Sequence, residues 1–234
     1  MRLSFVGSVF LLGFLAIPRA DALPDKVIVA VQPNPQNTDG PAPSSEALLS
    51  TLRSVNKDID IQIYECPWAR CLKAIETGAA DIVDDLYLTD DRLAYIHYLQ
   101  PPYSHHDNSF RFYVNKTSDI RIDSWQDLYH LGLGTVRGYV YFPQLDSDEK
   151  LRKHESVHIS QSINLLLLGR IDAIVAAPTL TDDIIRQYDP QHQLVLADFS
   201  YDYAQDVYIG VSKQSPWFSY VDVLESALKN VLYK

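Results

Sequence analysis

The stretch ECPWARCLKAIETGAADIVDDLYLTDDR, residues 65–92, predicts a helix, a tight turn, a buried strand and a polar loop that ends on an arginine. Trp68, Leu72 and Ile75 recur at intervals of four and three residues, which places them on one apolar face of the helix. Gly78 stands where that helix should end, because glycine tolerates the positive φ of a helix C-terminus. Open α/β sheets bind ligands where a strand opens into such a loop, so the stretch predicts a site as well as a fold.

Four short motifs follow one another here: Pro-Trp-x-Arg-x-Leu, Gly-x-x-Asp, Thr-x-x-Arg and then a Pro-Tyr pair. Their order resembles family 3 of the bacterial periplasmic solute-binding proteins. A second segment, LLLLGRIDAIV at 165–175, repeats the pattern of helix, Gly-x-x-Asp and apolar strand. Gly169 and Asp172 follow Gly78 and Asp81 by the same interval of 91 residues. The repeat predicts two lobes, although a glycine between a helix and a strand is common in any α/β protein.

The resemblance implies an α/β protein of the type 2 periplasmic binding fold. In that fold each of two lobes is an open mixed sheet flanked by helices, and two crossing strands form the hinge. We therefore expect a discontinuous N-terminal lobe of residues 23–111 plus 206–234 and a C-terminal lobe of residues 112–205. The crossing strands should lie near 109–114 and 205–211.

Further elements follow from the patterns on either side of the opening stretch. Alternating or continuous apolar residues predict strands at 26–31, 59–64, 132–136 and 171–176. Helical spacing predicts helices at 44–55, 158–169, 179–188 and 217–232. The resemblance implies a further helix at 124–129 that opens the second lobe. The first of these helices should be capped by Ser44 or Ser45. The resemblance implies a ligand loop between the first strand and this helix.

Residues 1–22 have the composition of a secretory signal peptide. Arg2 supplies a positive start, an apolar run follows, and Ala20-Asp21-Ala22 fits a cleavage site with small residues on either side. The apolar run is short for a membrane span, although an uncleaved anchor is the alternative. We expect export to the periplasm and a mature chain that begins near Leu23.

The charge balance limits the partners. The chain has 20 Lys and Arg against 30 Asp and Glu, a net charge of −10 at pH 7. This argues against nucleic acid or an anionic membrane surface as a partner. We expect a monomer that binds a small molecule, uses no cofactor or metal, and works with an ABC permease or a membrane sensor.

The two cysteines, Cys66 and Cys71, flank the predicted start of a helix. Export would permit a disulfide, which needs Cα atoms within about 7 Å of each other. Two buried thiols are one alternative. A redox-active pair is another, although the Cys-x-x-Cys spacing of thioredoxin-like sites is absent.

The resemblance assigns a ligand-binding role to Arg92. In amino-acid-binding members the arginine at this place clamps the carboxylate of the ligand, and the donor fork of a guanidinium suits that task. The alternative is an exposed arginine paired with Asp90 or Asp91.

Arg137, Gly138, Tyr139 and Tyr141 are the matching ligand loop of the second lobe. A glycine before a helix start offers free backbone N–H groups to an anion. We expect Arg137, like Arg92, to bind an anionic group. The tyrosines offer stacking surfaces and hydroxyl groups, although at least one of them would fit the lobe core.

Trp68 and Tyr87 are further candidates for the wall of the cleft. Trp68 aligns with a ligand-contacting position of the family, but it also begins the apolar stripe of its helix, so core packing is the alternative. Tyr87 stands where the family often has a small hydroxyl residue, and its ring would fill space that a small ligand normally uses.

Asp84 and Asp85 depart from the family, which usually has small or apolar residues at this strand end. The two carboxylates could receive an ammonium group, or they could pair with Arg70 or Arg92 and leave the site neutral. A second departure is Ala177, which stands where amino-acid binders hold the ligand's α-ammonium with an acidic residue. The predicted site therefore has a carboxylate clamp without an evident amine clamp.

The sequence thus favours a protein that captures a small polar, carboxylate-bearing ligand, amino-acid-like or a derivative, for an ABC-type transporter. An extracytoplasmic sensory protein is the main alternative. A small periplasmic enzyme is another, and it would need a cleft carboxylate of raised pKa, for which Asp84 or Asp85 is the candidate. The sequence shows no nucleophile elbow or Ser-His-Asp order, so we expect no enzyme activity. His105-His106-Asp107 falls in a predicted loop, where we expect no metal.

Overall fold

The computed structural model describes residues 23–33 and 45–233. The predicted signal peptide, most of the predicted ligand loop and Ser44 lie outside the described residues. None of the helices within the described ranges is long and apolar enough to cross a membrane.

Nine strands form one mixed sheet in the described part of the chain, in the spatial order β2-β1-β3-β9-β5-β8-β6-β7 with β4 paired to β9. The strands are β1 (Lys26–Val31), β2 (Asp60–Glu65), β3 (Ile82–Tyr87), β4 (Ile96–Tyr98), β5 (Ser104–Asn115), β6 (Gly132–Val136), β7 (Arg152–Ser156), β8 (Ala173–Ala176) and β9 (Leu194–Ser212). The α-helices are α1 (Glu46–Val55), α2 (Trp68–Thr77), α3 (Pro143–Ser147), α4 (Ile159–Leu167), α5 (Pro178–Tyr188) and α6 (Val221–Leu232). Short 3-10 helices occur at Asp91–Ala94, Trp125–His130 and Pro216–Tyr220.

The sheet has two halves of the same design. In the first half β1 is parallel to β2 and β3, and in the second half β6 is parallel to β7 and β8. Strands β5 and β9 pair with each other in antiparallel fashion between the halves. The crossing segments predicted from the sequence lie within these two long strands. The predicted pair of mixed sheets is therefore joined through the β5–β9 ribbon.

The hydrophobic core follows the same division. Two clusters of buried apolar side chains draw their members from residues 27–103 and 208–232. The other two clusters use residues 110–203. No described cluster mixes the two sets, so each half packs around its own core. The lobe boundaries themselves stay a prediction.

The repeated Gly-x-x-Asp motif does the same structural work in each half. Gly78 and Gly169 follow α2 and α4 with left-handed φ values of 72° and 64°. The Asp81 carboxylate then accepts an N–H of β1 at 2.7 Å, and the Asp172 carboxylate accepts the first N–H of β6 at 2.6 Å. Each motif therefore ends a helix and fastens the next turn to the central strand of its half.

Cys66 and Cys71 are joined by a disulfide, with their Cα atoms 5.3 Å apart. The bridge links the end of β2 to the first turns of α2. Pro67 at the N-cap of α2 makes no side-chain capping hydrogen bond, so the covalent link and the backbone bonds to the Pro67 carbonyl hold this helix start.

The sequence missed two strands and one α-helix, and it misplaced the start of two long strands, since β9 begins at Leu194 whereas its crossing segment was predicted at 205–211. Strands β4 and β7 and helix α3 were not predicted, and β5 begins at Ser104 where a loop was expected. His105 and His106 therefore lie in an extended strand. His105 contacts Asp206 on the neighbouring strand, whereas His106 contacts Tyr87.

Candidate functional site

A cavity of about 640 Å³ lies where the two halves of the sheet meet. Six residues predicted from the sequence line it: Trp68, Asp85, Tyr87, Arg92, Tyr139 and Tyr141. Strand β5 adds Asn108 and Phe110, and the starts of α4 and α5 add side chains from the second half. A more open groove of about 700 Å³ runs between α1 and α6, but none of the predicted site residues lines it. The cavity is therefore the candidate site.

Arg92 lies in the 3-10 helix after β3 and is only 7% exposed. Its Nη2 donates to the Gly138 carbonyl oxygen at 2.7 Å, and Nη1 donates to the Tyr87 carbonyl at 3.4 Å. Within the described ranges it forms no salt bridge, so the predicted alternative of pairing with Asp90 or Asp91 is not what the structure shows. Arg92 is thus a buried cation at the cavity wall whose described hydrogen-bond partners, the carbonyls of Gly138 and Tyr87 and the hydroxyl of Tyr98, are all neutral.

Gly138 joins the two walls of the cavity. Its carbonyl oxygen also accepts a hydrogen bond from Trp68 Nε1 at 2.9 Å. Its φ is +81°, and a Cβ at this position would lie 3.3 Å from both Trp68 Cδ1 and Leu72 Cδ1. Glycine therefore suits this position, where the loop after β6 packs on the start of α2, better than any residue with a side chain. Trp68 is buried in a core cluster and also lines the cavity.

The adjacent residues Asp84 and Asp85 have different surroundings. The Asp84 carboxylate accepts the backbone N–H of Ser45, the N-cap residue of α1, at 2.5 Å, and Asp84 is not among the residues that line the cavity. Burial raises the pKa of the Asp84 carboxyl, and hydrogen bonds from Ser45 partly offset the increase. Asp85 does line the cavity. Desolvation raises its pKa too, and the charge of His106 opposes the increase.

Solved structures share this architecture, although no protein-family model and no curated protein sequence matches the chain. The arginine-bound form of truncated ArgBP from T. maritima aligns with a TM-score of 0.69 and 15% identity, over 88% of this chain and 96% of that chain. The substrate-binding protein of an amino acid ABC transporter aligns with a TM-score of 0.64 and 15% identity, over 88% and 92% of the two chains. A histidine kinase sensor domain with similarity to periplasmic binding proteins gives a TM-score of 0.67 and 13% identity, over 88% and 90%.

This chain has the fold of the family 3 periplasmic solute-binding proteins. The α/β, two-lobed fold class predicted from the sequence is therefore confirmed. At these identities the likeness concerns the fold, and the roles of individual residues have to be argued from this chain alone.

The two tyrosines of the second-half loop divide between cavity and core. Tyr139 donates through its hydroxyl to Gln32 Oε1 at 2.9 Å, and its ring meets the edge of Trp68 with centroids 6.3 Å apart. Although 39% of the residue's surface is accessible, the hydroxyl is enclosed, and this desolvation raises its pKa to about 12. Tyr141 is buried in a core cluster, where its hydroxyl accepts the N–H of Val136 at 2.9 Å. Tyr141 is therefore a core residue that also reaches the cavity wall.

Arg137 was predicted to bind an anionic group of the ligand, and the structure places it at the surface. Its side chain is exposed and donates through Nε to Glu155 of β7 at 3.2 Å. It is not among the residues that line the cavity. The local reason is that β7, an element missed in the sequence, brings a carboxylate beside the loop.

Tyr87 belongs to a small polar network that sequence reasoning missed. Its hydroxyl is 2.9 Å from His106 Nδ1 and accepts a hydrogen bond from Asn108 Nδ2 at 3.0 Å. His106 and Asn108 are two residues apart on β5 and so share a face of that strand, which continues into the cavity with Phe110. The period-two pattern of these residues was a usable signal, but the segment had been assigned to a loop.

The second-half wall carries one acidic side chain in the described residues. Ala177 lines the cavity where the resemblance implied an acid. Asp183, one helical turn into α5, also lines it, but this carboxylate is paired with Arg186 of the same helix. No group of three or more His, Cys, Asp or Glu in the described ranges is arranged to hold a metal ion.

Proposed function

We propose that the protein is a periplasmic solute-binding protein that captures a small polar, carboxylate-bearing ligand between two lobes for an ABC-type transporter. The observation that carries the proposal is Arg92, a buried guanidinium at the wall of an interlobe cavity that forms no salt bridge in the described ranges and bonds to neutral oxygens. A guanidinium has five N–H donors, so donors remain after these bonds and the one to the Tyr98 hydroxyl. A ligand carboxylate would satisfy them and balance the charge.

The lobes of the proposal are residues 23–111 plus 206–234 and residues 112–205, with β5 and β9 as the hinge. The separate cores of the two halves support this division. Contacts to Gly138 from Arg92 and Trp68 join the lobes across the cavity. A ligand that touches both walls would add its own contacts to the closed form and shift the population towards it.

Trp68, Tyr87, Tyr139 and Tyr141 form the aromatic wall of the proposed site. Asp84, Arg137 and Gly138 take supporting roles, because Asp84 anchors α1, Arg137 pairs with Glu155, and the Gly138 carbonyl is already shared by two donors. Residues 1–22 would direct export to the periplasm, where we expect a monomer without catalytic activity. The solved structures named above are binding proteins and a sensor domain, which supports an extracytoplasmic setting.

A sensory role is the second candidate, and the shared fold of a histidine kinase sensor domain favours it. Both candidates need ligand capture and differ in the membrane partner. Crosslinking of the ligand-loaded protein to its native membrane, followed by mass spectrometry, separates them. A permease as the crosslinked partner supports transport, whereas a kinase or another receptor supports sensing.

Ligand capture is tested by thermal unfolding of the mature protein with the standard L-amino acids and simple carboxylic acids. A ligand at 100 times its Kd stabilises the folded state by about 2.7 kcal/mol, which is a clear rise in Tm. Native mass spectrometry of the purified protein tests ligand capture independently, because it detects any small molecule that stays bound through purification. If no compound raises Tm and no small molecule is carried along, the proposal is wrong.

A further inference from the structure

We propose that the buried Cys66–Cys71 bridge is a positioning element of the ligand site, because it holds the start of α2, and with it the Trp68 indole, against the loop after β6. The inference rests on the proposed function, since the quantity that the bridge would change is the affinity for the ligand. It gives the bridge a role beyond stabilising the fold.

The start of α2 is the surface on which the loop of the second half packs. Trp68 Nε1 donates to the Gly138 carbonyl at 2.9 Å, and the Tyr139 ring meets the edge of the indole with centroids 6.3 Å apart. A Cβ built on Gly138 would lie 3.3 Å from Trp68 Cδ1 and Leu72 Cδ1 and 3.5 Å from the Ala69 Cα. The loop therefore touches both side chains and backbone of this first helical turn, so a shift of the turn would disturb the contact across the cavity.

The bridge encloses this turn. Trp68 lies between the two cysteines, so the indole projects from a short loop that a covalent bond closes. The Cα atoms of Cys66 and Cys71 are 5.3 Å apart, and the bond ties the end of β2 to the first turns of α2. Cys66 is 1% exposed and Cys71 is fully buried. The bridge is therefore part of the core beneath the cavity wall, which suits a permanent positioning element better than a switch that a reductant could reach.

The bridge also reaches a second contact across the cavity. The Cys66 N–H donates to the Val31 carbonyl at 3.0 Å, at the point where β1 ends. Gln32 comes next in the chain, lines the cavity and accepts the Tyr139 hydroxyl at 2.9 Å. Tyr139 thus contacts Gln32 after β1 and Trp68 at the start of α2. Because Cys66 is bonded to β1 through its backbone and to α2 through its sulfur, the bridge fixes the separation of these two contacts.

The start of α2 has weak local support apart from the bridge. Its N-cap residue, Pro67, makes no side-chain capping hydrogen bond, and its first turn has no acidic residue to interact with the helix dipole. The N–H groups of Arg70 and Cys71 both bond to the Pro67 carbonyl, which closes the turn on itself without attaching it to β1 or β2. Without the bridge, we expect this turn to fray and Trp68 to lose its fixed place beside Gly138.

Loss of the bridge should weaken ligand binding without unfolding the protein. Leu72 and Ile75 belong to a core cluster that also contains side chains of β3 and β4, which keeps the rest of the helix in place. If Trp68 holds its binding-competent position in about one fifth of the molecules, the apparent affinity falls about fivefold, because it scales with the competent fraction. A bridge that only stabilises the fold would leave the affinity unchanged at temperatures far below Tm.

The test is isothermal titration of the wild type, the double variant Cys66→Ser, Cys71→Ser, and Gly78→Ala. The probes are the standard L-amino acids, acetate, pyruvate, succinate and benzoate. Gly78→Ala is the matched control, because it strains the other end of the same helix: φ is +72°, and an added Cβ would lie 2.9 Å from Gln214 Cβ. Circular dichroism and Tm establish that each variant folds, and Cys66→Ala, Cys71→Ala replaces the serine pair if that pair does not fold.

Two further readouts separate positioning from stability. Trp68→Phe removes the indole N–H, so removal of the bridge in this background should weaken binding by less than about twofold if the bridge acts through the indole. In proton–nitrogen correlation spectra of the ligand-free protein, the indole resonance of Trp68 is identified by its loss in Trp68→Phe. This resonance should shift in the bridge variant and stay in place in Gly78→Ala.

We expect the tightest-binding probe to bind the bridge variant about fivefold more weakly than the wild type, and to bind Gly78→Ala within about twofold of it. Wild-type affinity in the bridge variant, equal losses in the bridge variant and Gly78→Ala, or an undiminished loss in the Trp68→Phe background would overturn this inference and leave the proposed function standing. An unmoved Trp68 indole resonance would do the same. If no probe binds the wild type, the proposed function and this inference both fail.

Discussion

Arg92 and Gly138 are joined by a hydrogen bond of 2.7 Å from Nη2 to the carbonyl oxygen, and this bond crosses from one half of the sheet to the other. The indole of Trp68 donates to the same oxygen at 2.9 Å. Two donors from the first half thus converge on one acceptor of the second half. The cavity is closed on this side by the same arginine that the proposal assigns to the ligand carboxylate.

The close approach at Gly138 predicts a specific cost for Gly138→Ala. A side chain at φ +81° costs about 1–2 kcal/mol, and the new Cβ would also press on Trp68 and Leu72 at 3.3 Å. Gly169→Ala is the matched control, because its φ is +64° but no atom lies within 4 Å of an added Cβ. We expect both variants to lose stability in urea unfolding, with the larger loss for Gly138→Ala. Small-angle scattering should also show a more open G138A protein, and equal effects of the two substitutions would contradict the packing argument.

The disulfide should stabilise the chain by a moderate amount. Closing so short a loop removes about 2 kcal/mol of unfolded-state entropy at 25 °C in the chain-entropy account. We therefore expect reductant to lower the free energy of unfolding by about that amount. The double variant Cys66→Ser, Cys71→Ser should unfold at the lower value with or without reductant. A wild type that is insensitive to reductant under unfolding conditions would contradict the prediction.

Asp85 should give the ligand-free protein a distinctive pH dependence. Its pKa is raised in the folded state from the ordinary value of 3.8, so folding favours its protonated form. The sign follows from linkage: the contribution of Asp85 to stability is most favourable below pH 3.8 and declines as the pH rises through the raised pKa. Asp84 should act in the same direction. We expect D85N to gain stability relative to the wild type across that pH range, measured by urea unfolding at a series of pH values. A constant difference between the two proteins would show that the carboxyl is not desolvated.

Much of the fold could be predicted because local patterns and the tertiary structure agree. The apolar stripe of α2, the left-handed Gly78 and the strand after Asp81 are all visible in one short stretch. Strand β7 was missed because its sequence, RKHES, has little apolar character, and its pairing with β6 holds it in place. The polar start of β5 was missed for the same reason, since its partner residues lie far away in β9.

The sequence could predict those site residues whose position is set by a local motif. Six of the nine candidates line one cavity, because the segment after β3 and the loop after β6 meet there. The different surroundings of Asp84 and Asp85 depend on a bulge in β3, which no sequence pattern showed. Arg137 pairs with Glu155, which lies on β7. Because β7 was not predicted, this pairing could not be predicted either. The roles of the nine candidate residues in ligand binding stay predictions.

The most direct measurement is the affinity of Arg92→Ala beside that of Arg137→Ala, determined by isothermal titration with the amino acid or carboxylic acid that the wild type binds most tightly. Both variants lose one guanidinium and the same net charge, but Arg92 is buried at the cavity and Arg137 is exposed outside its lining. The account predicts that R92A loses about tenfold or more in affinity, since charged hydrogen bonds contribute about 1.5–3 kcal/mol, and that R137A binds like the wild type. Equal affinity of R92A and the wild type, or equal losses in both variants, would contradict ligand capture at Arg92.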